Sequence, residues 1–123
     1  MSWSYEQATG ALAAPDGTLA GTGYSGHGAG LNNPAAEQEI GVGPIPIGGY
    51  TIGPFFDDPG GKGPLVAHLK PDEENVMFGR SGFMIHGDNP QMDHTASDGC
   101  IILAHELRQE IAASGDNRLL VTW

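Results

Sequence analysis

The sequence predicts a mainly β domain with one helix in its C-terminal half. Apolar residues fall in short clusters separated by turn residues, the pattern of a β-rich chain. Glycine and proline are abundant, 20 and 9 of 123 residues, which fits many tight connections. Against this background one stretch, Leu103, Leu107 and Ile111, repeats at four-residue spacing and places its apolar side chains on one helical face. At 12.8 kDa the chain reads as a single domain over residues 1–123, because a chain of this length supports one hydrophobic core.

Taken in order, Trp3 and Tyr5 alternate with polar residues as a strand does. Ala14-Pro15-Asp16-Gly17 then supplies a turn into a second strand, Thr18 to Tyr24, so the chain is expected to open with a hairpin. Residues 23–34 are glycine- and asparagine-rich and read as an irregular loop. Asn33 as N-cap and Pro34 at the first helical position could begin a short helix reaching Ile40. Gly43 to Gly49 has too many prolines and glycines for a central strand and reads as a rigid connector into Tyr50-Thr51-Ile52. Residues 53–64 read as loop, Leu65 to Leu69 as a short strand, and Asp72 to Asn75 as loop again. Phe83 to His86 is the next strand, with Met84 and His86 on the face opposite Phe83 and Ile85. Ile101 to Leu103 is a buried strand that passes into the helix, Ala104 to about Ser114, stopped by Gly115. Leu119 to Trp123 closes the chain as a strand.

Five basic against fifteen acidic residues give a net charge of −10, which repels phosphate backbones and anionic lipid surfaces. Nucleic acid is therefore not an expected partner. The N-terminal residues have neither the basic start nor the apolar stretch of a signal peptide, and no window has the length of a membrane span. A cytoplasmic product without membrane insertion is expected from this.

The stretch from Phe83 to Leu103 carries the chemistry. Cys100 is the one cysteine, with no partner for an intramolecular disulfide. A lone cysteine is either a small core hydrophobe or, with a histidine to hand, a nucleophile. Ser97-Asp98-Gly99 just before it makes a turn, and Gly99 lets the backbone bend so that Cys100 stands at a strand start. His86 ends the preceding apolar run and can take the thiol proton and return it to a leaving amine, while a thiolate at Cys100 attacks an acyl carbon. Backbone donors around Gly99 and Cys100 are expected to hold the oxyanion, and the Ser97 hydroxyl to shape the turn. No cofactor is required. His86, Asp88, His94 and Cys100 also lie within fifteen residues. Their types could bind zinc, but they match no familiar zinc spacing. A metal-dependent amidase using His86, Asp88 and His94, and a non-catalytic wall-binding module, remain open on the residues alone.

Ile85-His86-Gly87 followed by Ser97-Asp98-Gly99-Cys100 resembles the H-G…S-x-G-C signature of the L,D-transpeptidase catalytic domain. The likeness extends to Gly23-Tyr24-Ser25-Gly26, Gly43-Pro44-Ile45-Pro46 with Gly49-Tyr50, Gly79-Arg80-Ser81-Gly82-Phe83 and His86-Gly87-Asp88. Together these pieces resemble the small L,D-transpeptidase-like effectors that bacteria deliver by type VI secretion. Ile101 after the Gly-Cys pair and Asp98 before it depart from the housekeeping cross-linking enzymes and fit the effector branch. The resemblance implies a sandwich or half-barrel of short strands. It implies a cysteine enzyme that removes the terminal D-alanine from peptidoglycan tetrapeptide stems or exchanges it for another D-amino acid. It implies delivery to a target-cell periplasm, with secretion machinery and a cognate immunity protein as partners. A backbone carbonyl near Gly87 is implied as the group that fixes the His86 tautomer. Tyr24, Arg80, Asp88 and Asp98 are placed on the substrate side, Arg80 as one of few cations able to receive a carboxylate and Tyr24 as a wall of the cleft.

Overall fold

A computed structural model describes residues 2–58 and 62–123. Its elements are β1 (Trp3–Glu6), β2 (Ala11–Ala13), β3 (Leu19–Thr22), β4 (Tyr24–Ser25), β5 (Gly48–Ile52), β6 (Phe56–Asp58), β7 (Gly63–Pro71), β8 (Met84–His86), β9 (Ile101–Ile102), α1 (His105–Ser114) and β10 (Arg118–Thr122). The fold is mainly β with one α-helix among the described residues, as the clustered apolar pattern predicts. The strands form one sheet in the order β3-β2-β1-β10-β5-β7-β8-β9-β4, with β6 paired to β7. Two neighbouring pairs are parallel, β1 with β10 and β8 with β9.

The sheet order itself shows that the sheet curls. β3 and β4 lie at opposite ends of the order, yet Gly23 alone separates them in sequence. In a flat sheet, strands at a spacing of about 4.8 Å would put these ends roughly 38 Å apart, far beyond the reach of one residue. The sheet therefore wraps into a nearly closed barrel. Its interior is filled by Tyr5, Leu12, Tyr50, Leu69, Ile85, Ile101 and Val121, joined by Leu107 and Ile111 from the apolar face of α1. Gly23 passes so close to Ile102 O and Leu103 that a Cβ there would collide with both.

The opening hairpin is more broken than its sequence predicts. Gly10, in the left-handed region at φ 76°, turns the chain back after β1, so β1, β2 and β3 form a three-stranded meander. The Ala14–Gly17 turn joins β2 to β3, where the Gly17 amide donates to Ala14 O at 2.8 Å. Tyr24 leaves this meander for β4 on the far side of the barrel. The helix expected from Asn33 to Ile40 is one 3-10 turn, Pro34–Ala36, although Asn33 caps it by accepting from the Ala35 amide at 3.1 Å. Just after it the Glu37 carboxylate accepts from Gln7 Nε2 at 2.9 Å and the Ile47 amide at 2.8 Å.

Within the loop expected over 53–64, Phe56 pairs with Val66 and Asp58 with Gly63, making a β6–β7 hairpin. Residues 59–61 of that loop lie outside the described residues. The main helix begins at His105 and ends at Gly115, whose φ of 74° suits a glycine stop.

Candidate active site

β8 and β9 run parallel, with Ile85 opposite Ile101 and His86 opposite Ile102. Ile85 and Ile101 enter the core. Side chains alternate along a strand, so His86 and Ile102 share the other face, and Cys100 directly precedes β9. The bend that sets Cys100 there requires Gly99. Its φ is 139°, and a Cβ would meet Arg80 Nη2 at 2.5 Å and the Phe83 ring at 2.7 Å. Cys100 is a free, half-buried thiol just before β9.

His86 is 3% exposed, and its Nδ1 lies 2.8 Å from Gly87 O. A carbonyl can only accept, so Nδ1 carries the proton and Nε2 presents its lone pair. Nε2 is buried and has no hydrogen-bond partner among the described residues. Burial holds His86 below the ordinary imidazole value. The Gly87 carbonyl opposes that shift, while Lys62 and Arg108 reinforce it. Burial pushes the Cys100 thiol up, and a backbone hydrogen bond from Met84 together with the charges of Lys62 and Arg80 pulls it partly back.

Ser97 is fully buried and its hydroxyl ties the turn together. Oγ accepts from the Gly26 amide at 2.9 Å and the Gly99 amide at 3.0 Å, and donates to Cys100 O at 2.5 Å. The Gly99 amide is therefore directed at Ser97. The Asp98 carboxylate is 83% exposed and lies 3.5 Å from His27 Nδ1. It lines neither cleft beside His86.

Arg80 is buried among backbone carbonyls. It is 6% exposed and stands over the Phe83 ring. Nη1 donates to Glu37 O and Pro44 O, both at 2.7 Å, and Nη2 to Gly43 O at 2.8 Å and Asp98 O at 3.1 Å. A guanidinium already holding four carbonyls is a structural clamp beneath the Asp98-Gly99-Cys100 bend, which corrects its expected role as a carboxylate receptor.

Among the described residues, no three His, Cys, Asp or Glu side chains converge to hold a metal ion. His94 packs edge-on against Tyr24, with ring centroids 4.9 Å apart. Residues 20–120 match the family described as the Tlde1 domain. The chain belongs to this family, a family of type VI secretion effectors. No curated protein and no solved structure matches the chain significantly.

The Tlde1 domain presents two clefts that meet at Asp88. The first, about 350 Å³, is lined by Lys62, Gly63, His86, Gly87, Asp88, Asn89, Pro90 and Ala96. The second, about 330 Å³, includes Tyr24, His94, Ile102 and Arg108. Tyr24 forms part of the second cleft's wall, where its hydroxyl donates to Asp88 Oδ1 at 2.7 Å and accepts from the Ala96 amide at 3.1 Å. Burial, and after it the hydrogen bond to Asp88, pushes the Tyr24 phenol up to about 12. Two cations that sequence reasoning passed over belong to this site. Lys62 reaches the His86 cleft from the β6–β7 hairpin, and Arg108 pins that hairpin through Pro64 O at 2.7 Å and Leu65 O at 3.1 Å. The one available signal was scarcity, since the chain has only five basic residues.

Proposed function

We propose that this Tlde1 domain is a cysteine-dependent L,D-carboxypeptidase and D-amino acid exchanging transpeptidase acting on peptidoglycan tetrapeptide stems. The observation that carries the reading is the state of His86. Its Nδ1–H is fixed by Gly87, its Nε2 lone pair is buried without a partner, and its strand β8 is paired with β9, which Cys100 directly precedes. Such a group is an oriented, unengaged base on the strand paired with the one that follows Cys100, and the proposed reaction brings the thiol proton to it.

In the proposed cycle the Cys100 proton passes to His86 Nε2 as Sγ attacks the carbonyl carbon of the third stem residue. The Cys100 amide receives the oxyanion. Collapse breaks the C–N bond, and the proton on Nε2 goes to the amine of the departing D-alanine. Water or the amine of a free D-amino acid then attacks the thioester, His86 takes the incoming proton, and the thiol is restored. Hydrolysis and exchange thus share one acyl-enzyme. For an effector, export by the type VI machinery, action in a target-cell periplasm and a protective immunity protein in the producer complete the proposal.

The test is purified protein incubated with tetrapeptide muropeptides, with and without D-methionine, and products read by mass. Cys100→Ala, matched for folding by circular dichroism, should lose both D-alanine release and exchange. Undiminished release by that variant would rule the mechanism out, and loss of activity on chelation would favour a metal amidase instead.

A further inference from the structure

The proposed reaction needs a receptor for one more group. The terminal D-alanine carries a free carboxylate one carbon away from the nitrogen that His86 protonates. Its receptor must therefore lie in the cleft that His86 itself lines. Of the five basic side chains, Arg80 is occupied by four carbonyls. Arg118 is paired with Asp72 through two contacts of 2.8 and 2.6 Å. Lys70 lines a separate groove with Asp72, Glu73 and Glu74. Arg108 faces the second cleft and holds Leu103 O, Pro64 O and Leu65 O. Lys62 is the remaining cation and lines the His86 cleft together with Gly87, Asp88 and Asn89. It forms no ion pair among the described residues.

We infer that Lys62 is the carboxylate receptor of this site, holding the terminal carboxylate of the stem before cleavage and that of an incoming D-amino acid during exchange. This rests on the function proposed above. The hairpin gives Lys62 a fixed base. The Lys62 amide donates to Asp58 Oδ2 at 3.2 Å, the Leu65 amide to Asp57 Oδ1 at 3.1 Å, and Arg108 holds the carbonyls of Pro64 and Leu65. Its charge is felt at both His86 and Cys100, which puts it within electrostatic range of both reacting groups. In a chain of net charge −10, a cation in this cleft also offers an anionic substrate end local attraction against the overall repulsion.

The test separates carboxylate recognition from catalysis. In a Cys100→Ala background, binding of a tetrapeptide stem ending in D-alanine is compared with binding of the same stem ending in D-alaninamide, by calorimetry. With Lys62 present the acid should bind roughly tenfold more tightly than the amide, as a charge-assisted contact of this kind is worth. Lys62→Met should erase that preference and Lys62→Arg should keep it. The same acid preference in Lys62→Met, or none with Lys62 in place, overturns the assignment. A Lys62-dependent preference in a protein whose Cys100 form releases no D-alanine would leave the carboxylate site standing and overturn the thioester reading.

Discussion

Burial acts on the two groups of the proposed mechanism in opposite directions, lowering His86 and raising Cys100, which favours imidazole and thiol over imidazolium and thiolate. His86 must be unprotonated to accept the thiol proton. The acid limb of kcat/KM should therefore fall below the ordinary imidazole value of about 6.5, with full activity through neutral pH. Cys100 alkylation by iodoacetamide in the resting enzyme should be slow at neutral pH and accelerate only in the alkaline range, because the thiolate is the reactive form. Rapid alkylation that is flat between about pH 5 and pH 7 would reveal a preformed ion pair and contradict this account. His86→Gln should remove the acid limb and lower turnover by about 10²- to 10⁴-fold.

At the scale of elements, the bend before Cys100 is held from beneath by Arg80. Its guanidinium links the Glu37 turn, the Gly43-Pro44 connector and the Asp98-Gly99 turn, three segments with no mutual strand pairing. Removing it leaves four carbonyls without their donors in a buried setting, so Arg80→Ala should cost about 3 kcal/mol in urea unfolding. Arg80→Lys should recover little of this, since an ammonium cannot reproduce the planar fork. Stability unchanged in Arg80→Ala would show that water replaces the clamp.

At the scale of the whole molecule, the barrel closes through Gly23. This residue carries the chain from the first strand of the sheet order to the last, and its amide donates to Gly10 O at 2.8 Å. Any side chain there pushes against Ile102 O and Leu103, and Ile102 sits opposite His86. Gly23→Ala should cost about 2 kcal/mol or more by overpacking, read as a lower thermal midpoint. Activity should fall with it even below the unfolding transition, because the displaced strand is β9. A variant with unchanged midpoint and unchanged turnover would mean that the seam yields freely.

The sequence by itself determined the elements whose signals are local. Period-four apolar spacing and Gly115 marked α1, and Ala14 to Gly17 marked a turn. The bend at Gly99 and the strand ending at His86 were legible because both depend on residues close in the chain, whereas the parallel pairing of β8 with β9 was not. The Gly87 carbonyl came only from the family resemblance, and the structure then placed it 2.8 Å from Nδ1. What the tertiary structure decided were the long-range pairings. Arg80 looked like a free cation until four carbonyls from three segments converged on it. Lys62 looked like a loop residue until β6 paired with β7 and carried it to the His86 cleft. Asp98 sits in the motif, yet its carboxylate points to solvent beside His27. Composition and spacing describe what a side chain can bind, but which partner it meets depends on strands brought together across the barrel, and that contact has no local signature.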